Sequence, residues 1–146
     1  MQFKIQLVAT DEAGGTETVQ ELTLLDKDFQ KIEQLGLTLD ESKVILKEIQ
    51  QAIVKRQTQA YLETRACCEE CGTRLKKKGY HQNTFRTLFG NVMLRSPRLH
   101  RCSTHPDTEQ KTTFSPLAEL LSERTAPELL FMETKWASLV RFERAS

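Results

Sequence analysis

The stretch Cys68-Glu69-Glu70-Cys71-Gly72, taken together with Cys102-Ser103-Thr104-His105, decides the organisation of this chain. Each stretch carries two metal-ligand side chains with two residues between them, and 30 residues separate Cys71 from Cys102. Each pair fits on one tight turn, and two such pairs at this separation are typical of a tetrahedral Zn²⁺ site. The chain between the pairs is long enough to run out and back as a β-hairpin.

The type of the four ligands indicates a structural metal. Three cysteines and one histidine form a closed ligand set for Zn²⁺, with no open position for a substrate. Gly72 can adopt a positive φ, which lets backbone amides point at the sulfur atoms. The sequence therefore predicts a structural zinc ion held by Cys68, Cys71, Cys102 and His105.

Other interpretations of the same residues stay open at this point. Cys67 could replace Cys68 as a ligand, and His100 could replace His105. The cysteines could also be reduced residues of a small core, or a redox pair. A thioredoxin-type pair, however, opens a helix after a strand, whereas this one follows a predicted long helix. Cys–His hydrolysis is disfavoured, since nothing marks a nucleophile apart from the ligand candidates.

The N-terminal half predicts a β-hairpin followed by a long helix. Residues 3–8 and 18–24 have strand patterns around a turn signal at 11–15. Thr38 and Glu41 have the spacing of a capping box, and no Pro or Gly occurs in residues 38–66. We therefore expect one helix over about residues 39–64. Its apolar residues recur at helical spacing: Ile45, Ile49, Ala52, Ile53, Ala60 and Tyr61.

The C-terminal half predicts a second hairpin and further helices. Residues 84–88 and 92–96 resemble strands with a bend at Gly90-Asn91, and Pro97 either ends the second strand or places it at a sheet edge. Ser115-Pro116 has the pattern of a helix N-cap. Thr125 and Glu128 form another candidate capping box, and an apolar helix face follows: Leu129, Leu130, Met132, Trp136, Leu139 and Val140.

These elements together predict an α+β protein. Its parts are an N-terminal β-hairpin, a long α-helix, a zinc-ribbon-like β-hairpin module and C-terminal helices. The expected division is residues 1–37, 38–65, 66–112 and 113–146, the last being the start of a missing domain.

The charge of the chain is distributed unevenly. Residues 1–64 contain 7 Lys and Arg against 11 Asp and Glu, whereas residues 65–111 contain 10 against 4. Cations on a small rigid β-scaffold favour contact with nucleic-acid phosphates, although a solvated surface or an acidic protein partner would also account for them. The candidate nucleic-acid contacts are Arg74, Lys76, Lys77, Lys78, Arg86, Arg95, Arg98 and Arg101.

Composition excludes some classes of protein. There is no apolar run of about 18 residues that could span a membrane, and residues 1–8 lack the apolar core of a secretory signal. We therefore expect a cytoplasmic protein with no membrane partner. In that reducing environment, cysteines favour metal binding over disulfides.

The motifs also resemble a known family. Leu35-Gly36-Leu37-Thr38-Leu39, the first cysteine pair, Phe85-Arg86-Thr87-Leu88-Phe89-Gly90 and Ser96-Pro97-Arg98-Leu99 are similar to the N-terminal region of insertion-sequence transposases of the Kra family. The same holds for residues 112–117 and 133–139. The resemblance covers about residues 1–139, and it implies a role in DNA transposition.

In that family a zinc-binding N-terminal region precedes an RNase H-like domain, whose three carboxylates hold two divalent metals for strand cleavage and transfer. Here no Asp follows Asp107 and only five Glu follow Thr112. The about 35 residues that remain are too few for such a core. We therefore expect a frameshifted, truncated or split product that binds double-stranded DNA at transposon ends and has no catalytic activity of its own.

A second functional class remains in competition. The chain could be a zinc-stabilised module for protein interaction or dimerisation that makes no contact with DNA. Helix 39–64 and the apolar face around Trp136 would then form the contact, either with another protein or in a homo-oligomer.

Overall fold

The computed structural model describes residues 1–10, 14–105 and 112–139. It confirms an α+β protein with two small antiparallel sheets and one long helix. The chain divides into two compact units, Met1–Gln57 and Thr58–Ser146. The elements are β1 (Gln2–Thr10), β2 (Thr16–Asp26), a 3-10 turn (Ile32–Gln34), α1 (Leu39–Thr64), β3 (Lys77–Thr87), β4 (Gly90–His100), β5 (Thr113–Phe114), α2 (Pro116–Leu120) and α3 (Pro127–Leu139).

The first unit begins with the predicted hairpin. Strands β1 and β2 pair antiparallel from Gln2 opposite Asp26 to Thr10 opposite Thr16. Both strands extend beyond the predicted segments, and the pairing shifts register after Ile5 and again after Leu7. Residues 11–13 of the predicted turn lie outside the described residues.

A polar cluster joins the end of this hairpin to the start of α1. The backbone N–H of Lys27 donates to Met1 O at 2.8 Å, and Lys27 Nζ donates to Glu41 Oε2 at 2.5 Å. The predicted capping box is present, since Thr38 N donates to Glu41 Oε2 (2.8 Å) and Glu41 N donates to Thr38 Oγ1 (3.2 Å). The pKa of Glu41 falls to about 2, chiefly because Lys27 donates to its carboxylate.

Helix α1 spans the predicted residues, but its buried positions differ in part. Ile45 and Ala52 are buried as expected. Val54 is buried whereas Ile53 and Ala60 are exposed, so the apolar face is rotated relative to the predicted one near the middle of the helix.

The second unit contains a three-stranded sheet in the order β3-β4-β5. The predicted bend at Gly90-Asn91 is wrong by two residues, because Thr87 pairs with Gly90 and the turn is Leu88-Phe89. Among the described non-glycine residues only Arg124 has a positive φ, whereas Gly90 has a φ of 115°. A type I turn is often followed by a glycine with positive φ. Gly90 has this position, directly after the turn Leu88-Phe89.

Strand β4 continues through Pro97 to His100, so the strand does not end at the proline. Strand β5 pairs only with Leu99 and His100. Pro97 therefore pairs with β3 on one side and has no strand partner on the other side among the described residues. Proline is tolerated at such an edge position because it has no N–H to donate to a neighbouring strand. Buried residues of β4 and α2 form much of the core of this unit: Val92, Leu94 and Ser96 lie on one face of β4, Leu99 lies on the other, and Pro116 and Leu117 belong to α2.

The predicted caps of the C-terminal helices take other roles. Ser115 occupies the N-cap position of α2 but makes no capping hydrogen bond with its side chain. Instead its Oγ lies 2.8 Å from Ser96 Oγ and 3.2 Å from His81 Nε2. Thr125 precedes α3 in a bridge with Arg86, and Val140 lies outside the described residues. No helix in the described ranges has both the length and the apolar composition needed to cross a membrane.

Candidate metal centre

The first ligand pair lies on a turn just after α1. Cys68 N donates to Thr73 O at 2.8 Å, and Gly72 N donates to Cys68 O at 2.9 Å. Gly72 has a φ of +69°, which glycine adopts without the steric cost of a Cβ. This turn holds Cys68 and Cys71 on the same side of the loop.

The second pair follows the end of β4, and backbone hydrogen bonds bring the two parts together. His100 N donates to Lys76 O at 2.8 Å, so the start of the first hairpin strand lies beside the end of the second. Leu75 N donates to Ala66 O at 2.9 Å, which closes the first turn at its base. Cys102 and His105 thus lie opposite Cys68 and Cys71.

The four predicted ligands form one cluster. One ligand atom from each of Cys68, Cys71, Cys102 and His105 lies within 4.8 Å of all the others. Cys71 Sγ is 3.6 Å from Cys102 Sγ, and Cys68 Sγ is 3.9 Å from His105 Nδ1.

These distances match the requirements of a metal ion. Zn–S bonds of about 2.3 Å in a tetrahedron place two sulfur atoms about 3.8 Å apart, and a sulfur and a nitrogen about 3.6 Å apart. A disulfide would need a separation of about 2.05 Å. The geometry is therefore compatible with a four-coordinate ion and not with a disulfide between Cys71 and Cys102.

A carboxylate lies behind the histidine. His105 Nε2 is 3.3 Å from Glu70 Oε2, while Nδ1 faces the sulfur atoms. Metal-binding histidines usually donate their other ring N–H to such an oxygen, which fixes the tautomer and the ring orientation. Glu70 thus completes an arrangement that favours Nδ1 as the ligand atom.

Two thiols are biased towards the thiolate form that binds metals. Hydrogen bonding to His105 lowers the pKa of Cys102 to about 6, and the hydroxyl of Thr73 lowers the pKa of Cys71. The side chain of Cys102 in turn raises the pKa of His105. A bound cation would replace this proton, since metal binding to such ligands releases protons.

The two alternative ligands that the sequence left open lie outside the cluster. Cys67 is exposed and its backbone bridges to Arg74, and His100 lies on β4; neither belongs to the cluster of four. Sequence reasoning missed Glu70 and Thr73 as partners of the ligands. The only signal for Glu70 was its position inside the first cysteine pair.

The predicted nucleic-acid contacts all lie in the second unit but in different surroundings. Arg95 stacks over the ring of Tyr80 at 4.0 Å, with Lys77 on the same ring at 5.7 Å. Arg86 forms an ion pair with Glu133 at 2.6 Å. Arg101 is half-buried, 5.1 Å from the ring of Phe114. The exposed remainder are Arg74, Lys76, Lys78 and Arg98.

No match was found among known protein families, curated proteins or solved structures.

Proposed function

We propose that Cys68, Cys71, Cys102 and His105 hold one structural Zn²⁺ ion, and that the resulting zinc-ribbon-like module binds double-stranded DNA. The module would act as the N-terminal, DNA-binding part of an insertion-sequence transposase of the Kra family, at transposon ends. Its role is binding, and strand cleavage is not assigned to these residues.

The support for zinc is the agreement between chemistry and geometry. Three thiols and an imidazole are a preferred set for Zn²⁺, and their separations fit a tetrahedron. With four protein ligands the ion has no open position, so its role is to join the two turns on which the ligands lie.

The observation that carries the proposal of DNA binding is the cationic group on the exposed face of the β3–β4 hairpin. Tyr80 is half-exposed and fixes the side chains of Lys77 and Arg95 by cation–π contact. Gln82 pairs with Arg95 across the two strands, and both are exposed. A two-stranded ribbon with such side chains fits the width of the major groove.

The assignment to transposition depends on the motifs that resemble the Kra family, including the stretches Arg86-Thr87-Leu88-Phe89-Gly90 and Ser96-Pro97-Arg98-Leu99. The first stretch contains the hairpin turn Leu88-Phe89, and the second lies near the C-terminal end of β4. In this proposal the motifs define the scaffold that presents the cations.

The test uses fluorescence anisotropy to measure the affinity of the zinc-loaded chain for duplex DNA over a series of salt concentrations. Arg95→Gln should weaken binding, while Lys135→Gln, which removes a charge from α3, should leave it unchanged. Affinity should fall steeply with salt, because each phosphate contact releases counterions. Absence of binding at low salt would contradict the proposal.

A protein-interaction or dimerisation module is the second candidate, and α3 favours it. Phe131, Trp136 and Leu139 are 65%, 61% and 67% exposed, and exposed apolar patches often mark interaction sites. Sedimentation equilibrium distinguishes this candidate: a dimer that Trp136→Ser converts to monomer, in a protein that binds no DNA, would favour interaction over DNA binding.

A further inference from the structure

A surface pocket lies between the two segments that carry the metal ligands. It has a volume of about 330 Å³, at the lower end of the range for small-ligand sites. One wall comes from the residues just after the first cysteine pair, and the other comes from the end of β4 and the second pair. Its polar lining residues are Thr73, Arg74, Lys76, His100, Arg101 and Ser103.

The two walls are held together by the main chain. His100 N donates to Lys76 O from one wall to the other, and Arg101 N donates to Thr112 O, outside the pocket lining, at 3.0 Å. The guanidinium of Arg101 is positioned over the ring of Phe114. Cys102, a proposed zinc ligand, also lines the pocket, so the ion that joins the two turns would also fix the separation of the walls.

The chemistry of the lining indicates the charge of the ligand. Three cationic side chains, one imidazole and the hydroxyl of Ser103 can donate hydrogen bonds, the hydroxyl of Thr73 is paired with Cys71 Sγ, and the described lining contains no carboxylate. Arginine forms bidentate hydrogen bonds with phosphate oxygens, while lysine acts as a point charge. Such a concentration of positive charge in a concave site attracts anions more strongly than the same charges on a flat surface.

We propose that this pocket binds one phosphodiester group of the DNA backbone. The inference rests on the proposed DNA binding and adds a defined phosphate site to it, formed by residues other than Lys77, Tyr80 and Arg95. In this arrangement Arg74, Lys76 and Arg101 bind the phosphate oxygens, and the hydroxyl of Ser103 completes the hydrogen bonding, since the hydroxyl of Thr73 is paired with Cys71 Sγ. The pocket sets the register of the module on DNA, because phosphate contacts position a protein on the duplex.

The test compares Lys76→Gln with Lys135→Gln in the full zinc-loaded chain. Both variants remove one exposed lysine charge from the second unit, and neither removes a proposed metal ligand. Duplex affinity is measured over a series of salt concentrations. Removal of one of the three cations that bind the phosphate should reduce the slope of log affinity against log salt in Lys76→Gln, by up to about 0.9, with no change in Lys135→Gln.

A second arm uses inorganic phosphate and backbone amide NMR to distinguish a DNA phosphate from a free anion. Duplex DNA should shift the amide signals of residues 73–76 and 100–103 in the wild-type chain and shift them less in Lys76→Gln, and inorganic phosphate should shift them far less than duplex DNA does in the wild-type chain. If the wild-type chain binds DNA and Lys76→Gln leaves the slope unchanged, the pocket proposal is wrong while DNA binding stands. If the wild-type chain binds no duplex at low salt, both proposals are wrong, and shifts with inorganic phosphate alone would reassign the pocket to a free anion.

Discussion

The imidazole Nε2 of His105 lies 3.3 Å from the carboxylate Oε2 of Glu70, on the side of the ring away from the sulfur atoms. The distance allows an N–H of the ring to donate to the carboxylate. Glu70 stands between two proposed ligands in the sequence, so the short turn that presents the cysteines also presents the group that orients the histidine.

Glu70→Ala should weaken zinc binding by about tenfold or more, the effect usually seen when the carboxylate behind a metal-binding histidine is removed. Competition with a chromogenic chelator measures the affinity. Glu69→Ala is the matched control, since Glu69 contacts Arg65 instead of the histidine. Equal zinc affinities of the two variants would show that the Glu70 contact does not orient His105.

The capping box of α1 gives a prediction for stability. Thr38→Ala removes the hydroxyl that accepts from Glu41 N, and the loss of such a cap costs about 1 kcal/mol of unfolding free energy. Thr64→Ala, at the last residue of the same helix, should cost clearly less. Urea unfolding of both variants checks this, and equal midpoints would contradict a stabilising role of the cap.

Sequence predicted the features that depend on local chemistry. The bounds of α1 follow from a capping box and from the absence of Gly and Pro, both of which are visible in the chain. The clustering of Cys68, Cys71, Cys102 and His105 follows from their spacing. In both cases the deciding contacts lie within a few residues of each other or belong to a recurrent motif.

Features that depend on tertiary contacts were not predictable in the same way. Ser115 has the sequence of an N-cap, but its hydroxyl pairs with Ser96 and His81, which are brought to it by the sheet. The hairpin turn falls at Leu88-Phe89, because strand pairing places Gly90 after the turn and not within it. A sequence pattern shows which local role a residue could take, but it does not show the tertiary partners that compete for its side chain or backbone.

Acid should destabilise the contact between the first hairpin and α1. The ordinary pKa of a glutamate carboxyl is 4.5, and in the folded chain the pKa of Glu41 falls to about 2, chiefly because Lys27 donates a hydrogen bond to the carboxylate. The folded state therefore binds fewer protons, so this contribution to stability is complete above pH 4.5 and declines as the pH falls towards 2.

Urea unfolding at pH 7 and pH 3 tests this for the wild-type chain and for Glu41→Gln. The variant should be less stable at pH 7 and should lose less stability on acidification than the wild type. The comparison cancels acid effects on the metal ligands, which both proteins share. An identical loss in the two proteins would show that Glu41 is not a source of the acid sensitivity.

The buried hydroxyl pair in the second unit should contribute measurably to stability. Ser96 is fully buried, and Ser115 Oγ is within hydrogen-bonding distance of both Ser96 Oγ and His81 Nε2. Ser115→Ala would leave His81 Nε2 without its hydroxyl partner and Ser96 Oγ with only the 3.4 Å contact to Pro97 O, at a cost of about 1–3 kcal/mol. Ser122→Ala, at an exposed position, is the control. A thermal unfolding midpoint of Ser115→Ala equal to that of the control would contradict this role.

The metal content of the purified protein tests the central claim most directly. Elemental analysis should find one zinc per chain, with Cys71→Ser losing most of it and Cys67→Ser retaining it, since Cys67 lies outside the ligand cluster. Wild-type protein without stoichiometric zinc, or a Cys71→Ser variant that keeps its full complement, would contradict the account.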